Sequence, residues 1–101
     1  MIARLWHGWT IPENADAYEQ LLREHVLPGI GRIEGYHGAY VLRRDAGDEI
    51  AFVTMTLFDS WDAVRAFAGD DPTLAVVPPE ARQLLERFDQ RSEHYETRVT
   101  P

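Results

Sequence analysis

The chain has 101 residues, 45% of them hydrophobic, with a net charge of −7 and an isoelectric point near 4.9, so it makes one domain and offers no basic surface to nucleic acid or to an anionic membrane. It contains no cysteine, and all ten cations are arginine, which excludes disulfides, thiolate metal sites, cysteine nucleophiles, Schiff-base chemistry and a P-loop lysine. Ser60 and Ser92 are its only serines and neither sits in a nucleophile elbow; no basic-then-apolar leader opens the sequence, and no apolar run approaches the roughly 20 residues of a bilayer span, so a soluble cytoplasmic protein is the expectation.

The first strand is expected from Ile2 to Ile11. It carries Trp6 and Trp9 on opposite faces, and large rings on both faces ask for burial on both faces, which places it inside a sheet. Pro12 stops it and opens a helix, with Glu13, Asn14 and Asp16 in the first turn. Ala15, Tyr18, Leu21, Leu22, His25 and Val26 recur at helical spacing as one buried stripe, and Pro28-Gly29 predicts the helix end. After a connector over Ile30 to Glu34, the second strand spans Gly35 to Arg44 and the third Glu49 to Phe58, joined by a hairpin loop at Asp45 to Asp48. Asp59-Ser60 caps a second helix, whose stripe is Trp61, Val64, Phe67 and Ala68 and whose end is Gly69. Asp70 to Pro79 reads as irregular with a turn around Thr73 to Val76, Glu80 to Arg87 as a short helix, and Phe88 to Val99 as the fourth strand.

This order, with right-handed crossovers, predicts an α+β, ferredoxin-like βαββαβ fold: an antiparallel four-stranded sheet in the order 4-1-3-2, with the helices on one face. The other face still carries apolar residues from every strand, and a second copy packed sheet to sheet is the simplest cover, so a homodimer is expected.

Trp6-His7-Gly8, Tyr18, Gly35-Tyr36-His37-Gly38, Arg43-Arg44, Phe58 to Ala63, Phe67-Ala68-Gly69 and His94-Tyr95-Glu96 together resemble the antibiotic biosynthesis monooxygenase (ABM) superfamily, in particular a subgroup of small bacterial proteins. The resemblance covers nearly the whole chain and implies a dimeric α+β barrel. Polyketide-tailoring members are cofactor-free oxygenases that deprotonate an electron-rich phenol or anthrone and let the carbanion react with O₂, in pockets lined by Asn, Trp, Tyr and Arg. Here the only asparagine is Asn14, at the start of the first helix. Haem-degrading members use an Asn in the first strand, a Trp and an axial His; the last two fall on Phe67 and Val77, and no histidine lies between His37 and His94. No cofactor is expected. No metal site is expected either, because the four histidines lack i, i+3 or i, i+4 spacing.

His94 shares a face with Ser92 and Glu96, and if the fourth strand flanks the first it approaches Trp6 or His7, depending on register. In an apolar pocket it takes a proton from a phenol near neutral pH; otherwise it is a core histidine satisfied by a backbone carbonyl or by Glu96. Arg43 is either half of a salt-bridged sheet edge with Arg44 or a partner for a substrate oxyanion. Trp6, Tyr18, Tyr40, Trp61 and Phe67 are the expected ligand-contacting walls. The function these residues point to is binding of a small aromatic or polycyclic molecule, with cofactor-independent oxygenation by His94 and Arg43. The alternatives are a non-catalytic ligand-binding or stress-linked domain and a dimerisation unit without ligand.

Overall fold

The computed structural model describes residues 1–101. β1 (Ile2–Thr10) pairs along its whole length, antiparallel, with β3 (Glu49–Phe58). β2 (Tyr36–Ala46) pairs antiparallel with the far edge of β3. The free edge of β1 is shared by β4 (Leu85–Phe88) and β5 (Glu93–Glu96). The sheet order is β2-β3-β1-β4, the arrangement expected from the sequence, with β1 in the interior. Because side chains alternate along a strand, Arg4, Trp6 and Thr10 share the helix-side face with Phe52, Thr54, Thr56 and Phe58.

The helical layer begins with a 3₁₀ turn at Pro12–Asn14 and α1 (Ala15–Leu21), passes through a π turn at Leu22–Val26, and continues as α2 (Leu27–Ile30). Pro28-Gly29 therefore does not end the helix, which stops at Gly31, whose N–H bonds the Leu27 carbonyl at 3.0 Å. The wide turn explains the difference. A proline inside a helix has no N–H and crowds the carbonyl four residues back. In the turn just before Pro28, the Leu27 N–H reaches back five residues to Leu22, which opens the ladder there. His25, expected on the buried stripe, is exposed. α3 (Trp61–Ala68) is capped by the Ser60 Oγ, which accepts from the Ala63 N–H at 3.3 Å, and ends at Gly69, φ 89°. α4 spans Pro79–Leu84.

The last third departs most from expectation. The short helix stops at Leu84 rather than Arg87, and the single fourth strand is two strands with a break over residues 89–92. Leu85 is buried against β1 beside Gly8, where an added Cβ would lie 3.0 Å from the leucine Cδ2. Burying a leucine is worth about 2 kcal/mol. Another residue of helix is worth a few tenths, so the packing wins. The break has a partner of its own. The irregular segment 71–78 crosses the sheet edge as a strap: the Ser92 N–H bonds the Thr73 carbonyl at 2.7 Å, and the Ala75 N–H bonds the Gln90 carbonyl at 3.0 Å.

The core under the helices is in two patches. One gathers Ala15, Tyr18, Leu22, Ile50, Phe52, Ala81 and Leu85; the other gathers Ile30, Phe58, Ala63 and Val64. The opposite face of the sheet has no helix over it. It presents Trp9, Tyr40, Leu42 and Tyr95, of which the last three are 57%, 55% and 53% exposed. No helix is long and apolar enough to cross a membrane.

Candidate functional site

Between the two core patches lies a cavity of about 50 Å³, lined by fifteen residues of which ten are hydrophobic. β1 contributes Arg4 and Trp6, β3 Thr54 and Thr56, the first helical stretch Tyr18, Leu22, Val26, Leu27 and Ile30, and α3 Phe67. The strap supplies Val76, Val77 and Pro78, α4 supplies Ala81, and the break before β5 supplies Ser92. The π turn sits on this wall, so the widened helix is the part that faces the cavity. Val26, Ile30, Phe67, Val76 and Pro78 also line an outer cleft of about 590 Å³, with His25 and Glu80 on its rim.

The rings on the wall are held in place. The Trp6 Nε1–H donates to the Asp89 carbonyl at 2.7 Å, and Tyr18, 1% exposed, meets Phe52 edge-on at 4.8 Å. Burial raises the Tyr18 phenol well above its ordinary value, so it stays protonated.

Arg4 is the one permanent charge on the wall, and it is 4% exposed. Its Nη1 donates to the Pro72 carbonyl and its Nη2 to the Leu74 carbonyl at 2.9 Å, so the guanidinium fastens the strap to β1. Nη1 also lies 3.1 Å from His94 Nε2. Arginine only donates, so Nε2 must accept, which leaves His94 neutral with its proton on Nδ1. Burial and then the Arg4 charge hold the imidazole below its usual range. Burial also lowers Arg4 to about 10, which keeps it charged at neutral pH. The guanidinium lies over the Phe67 ring, 5.3 Å from its centroid. Two further polar atoms on the wall, Thr54 Oγ1 and Ser92 Oγ, are buried without a hydrogen-bond partner.

Of the site residues read from the sequence, Trp6, Tyr18 and Phe67 come together on the cavity wall. His94 pairs with Arg4 across the strands, rather than approaching Trp6 or His7, because β5 starts after the break and in its own register. It stands behind Arg4, its ring tilted against Trp61 with centroids 4.9 Å apart, and Trp61 itself is 41% exposed. Tyr40 lies on the uncovered face of the sheet, opposite Met55. Arg43 projects at the sheet edge over Phe52, bonded to Asp16 at 2.9 Å and Glu19 at 3.0 Å, outside the cavity. Arg4, Thr54 and Ser92 were missed. The available signal for Arg4 was parity: it shares the inward face with Trp6 and Thr10 on a strand that asks for burial on both sides.

Residues 1–79 match the family of antibiotic biosynthesis monooxygenases. The chain belongs to that family. The antibiotic biosynthesis monooxygenase fold recurs in solved structures at low identity. MhuD (Rv3592) from Mycobacterium tuberculosis, a haem degrader with two haems bound in its active site, is 16% identical, with 100% of this chain and 99% of that one covered and a TM-score of 0.62. A monooxygenase from the gene ActVA-Orf6 of Streptomyces coelicolor, in complex with nanaomycin D, is 16% identical over 99% of this chain and 89% of that one, TM-score 0.63. Rv0793 from Mycobacterium tuberculosis is 14% identical over 98% and 96%, TM-score 0.62. No curated protein matches the chain. Against the haem-degrading pattern that the resemblance implies, the cavity wall has Phe67 and Val77 at the Trp and axial-His positions, and neither side chain ligates iron.

Proposed function

We propose that this chain binds a small aromatic or polycyclic molecule between sheet and helices and oxygenates it, as an electron-rich phenol or anthrone, with O₂ and no cofactor. The observation that carries the reading is the cavity together with the cleft of about 590 Å³ that shares a wall with it: the inner 50 Å³ is too small for a polycyclic ring system, so the ligand spans both, its inner end at Trp6, Tyr18 and a few converging polar groups. In the reaction, the ring gives up a proton, the carbanion adds O₂, and the hydroperoxide loses water to leave a carbonyl. Neither ionisable residue on the wall, Arg4 or Tyr18, takes up a proton at neutral pH. His94, neutral and one hydrogen bond behind Arg4, serves as that base only when its Nε2 releases Arg4 and turns to the ligand. The apolar outer face supports a homodimer packed sheet to sheet. Two neighbours that hold haem and nanaomycin D support a flat, cyclic ligand.

The test is oxygen consumption by the purified protein with an anthrone and with electron-rich phenols, beside quenching of tryptophan fluorescence by the same compounds. Saturable quenching with oxygen uptake supports the oxygenase. Saturable quenching alone leaves a binding module, the reading favoured by the engagement of the His94 lone pair with Arg4. The absence of both responses overturns both readings.

A further inference from the structure

The guanidinium of Arg4 has five N–H donors. The carbonyls of Pro72 and Leu74 and His94 Nε2 take three of them, leaving the Nε–H and one Nη2–H without a protein acceptor. All three protein partners are uncharged. No carboxylate stands beside this buried cation, while on the surface Arg43 has two and Arg87 and Arg91 have one each. An enclosed charge with no counter-charge is costly, and the chain of net charge −7 has not spent one of its seventeen acids on it. The same wall presents the partnerless hydroxyls of Thr54 and Ser92, the latter residue 5% exposed. Two free donors on one planar cation, two free hydroxyls and an apolar surround make a receptor for an anionic oxygen.

Resting on the proposed binding of an aromatic molecule in this cavity, we infer that the ligand is an anion, its charged oxygen (a phenolate, enolate or carboxylate) held by Arg4 with Ser92 and Thr54, and that Arg4 is the specificity-determining residue. The aromatic body lies against Trp6, Tyr18 and Phe67. His94 acts here as a positioning residue, fixing the guanidinium through Nη1.

The experiment uses matched pairs: 2-naphthoate against methyl 2-naphthoate, and 4-nitrophenolate against 4-nitroanisole, titrated into the intact protein by tryptophan quenching. A charge-assisted bond contributes about 1.5–3 kcal/mol, so the wild type should hold one or both anions roughly 10- to 100-fold more tightly than the neutral partner. Arg4→Met should erase that preference and leave the neutral compounds close to their wild-type affinity. A guanidinium that served only to fasten the strap would weaken both members of a pair equally. The 4-nitrophenol absorbance adds a readout that needs no variant: on the wild type its apparent pKa should fall by about one unit or more. If only naphthoate shows the preference, the ligand is a carboxylate; if only nitrophenolate does, it is a phenolate or enolate. Equal affinity for charged and neutral partners, or a preference that survives in Arg4→Met, overturns the inference and leaves aromatic binding standing. No binding of any of the four overturns both. Should Arg4→Met fail to fold, the wild-type pairs and the nitrophenol shift decide.

Discussion

Replacing Thr54 by valine should make the protein more stable. Thr54 sits in the middle of β3, opposite Trp6 on one side and Val41 on the other, with its Oγ1 buried and without a hydrogen-bond partner. The two side chains share a shape and a β-branched preference for extended backbone, so the substitution exchanges one chemical group and little else. A buried hydroxyl left unsatisfied costs about 1–3 kcal/mol. A methyl in its place gains a fraction of the ~0.8 kcal/mol of a buried methylene. The expected gain is therefore about 1–2 kcal/mol. For a domain of this size each kcal/mol moves the midpoint by about 4–8 °C, so Tm should rise by roughly 4–16 °C. Thermal melts followed by circular dichroism measure this, with Thr56→Val as the control, because the Thr56 hydroxyl donates to the Arg4 carbonyl at 3.5 Å and its loss brings no gain. The same substitution should weaken binding of an anionic ligand, since the lost hydroxyl belongs to the receptor. An unchanged or lowered Tm for Thr54→Val refutes the reasoning, because it means the hydroxyl is satisfied in solution and is not held in reserve for a ligand.

Sedimentation at micromolar concentration should find a dimer, with at least roughly 1,000 Å² buried in total; Leu42→Glu on the uncovered sheet face should split it, and a stable wild-type monomer would defeat the sheet-to-sheet assembly. Haemin added at stoichiometric ratio should give no saturable Soret shift, because Val77 and Phe67 are the residues at the positions that the family resemblance gives to an axial ligand and a ring platform; a tight one-to-one complex that degrades its haem overturns this. His94, held below the ordinary imidazole value of 6.5 by burial and then by the Arg4 charge, binds fewer protons folded than unfolded. Stability should therefore be full above about pH 6.5 and fall as the pH drops towards the folded value. His94→Gln should flatten that part of the curve, and an unaltered profile would remove the Arg4–His94 contact from solution.

Local pattern was enough for much of the fold. The rings of β1, the Ser60 cap and the hairpin turn each act within a few residues, and the sheet order follows from them. Pro28-Gly29 carried a stop signal that a single wide turn cancelled, and such a turn depends on the carbonyl ladder rather than on residue type. The split between β4 and β5 depends on Ala75 and Thr73, paired with Gln90 and Ser92 at separations of 15 and 19 residues, and a backbone pairing at that distance leaves no periodicity to read. The site divides in the same way. Trp6, Tyr18 and Phe67 announced themselves as apolar stripes. Arg43 drew attention as a charge beside a charge, and its neighbours Asp16 and Glu19 come from the far end of a crossover. Arg4 was hidden by an ordinary assumption, that arginine in a strand points to water. Its partners Pro72 and Leu74 contribute carbonyls, which every residue has.

The strap makes the roof of the cavity a replaceable part. Val76, Val77 and Pro78 form its ceiling, yet the segment is anchored upstream of them by main-chain bonds at Thr73 and Ala75 and by the grip of Arg4 on two carbonyls. Few of those attachments read side-chain identity in the ceiling. The three ceiling residues can therefore be exchanged for larger, smaller or more polar ones at little expense to the sheet beneath. Recoding them offers a route to altered ligand preference in which the proposed anion receptor on β1 stays fixed and the shape above it varies.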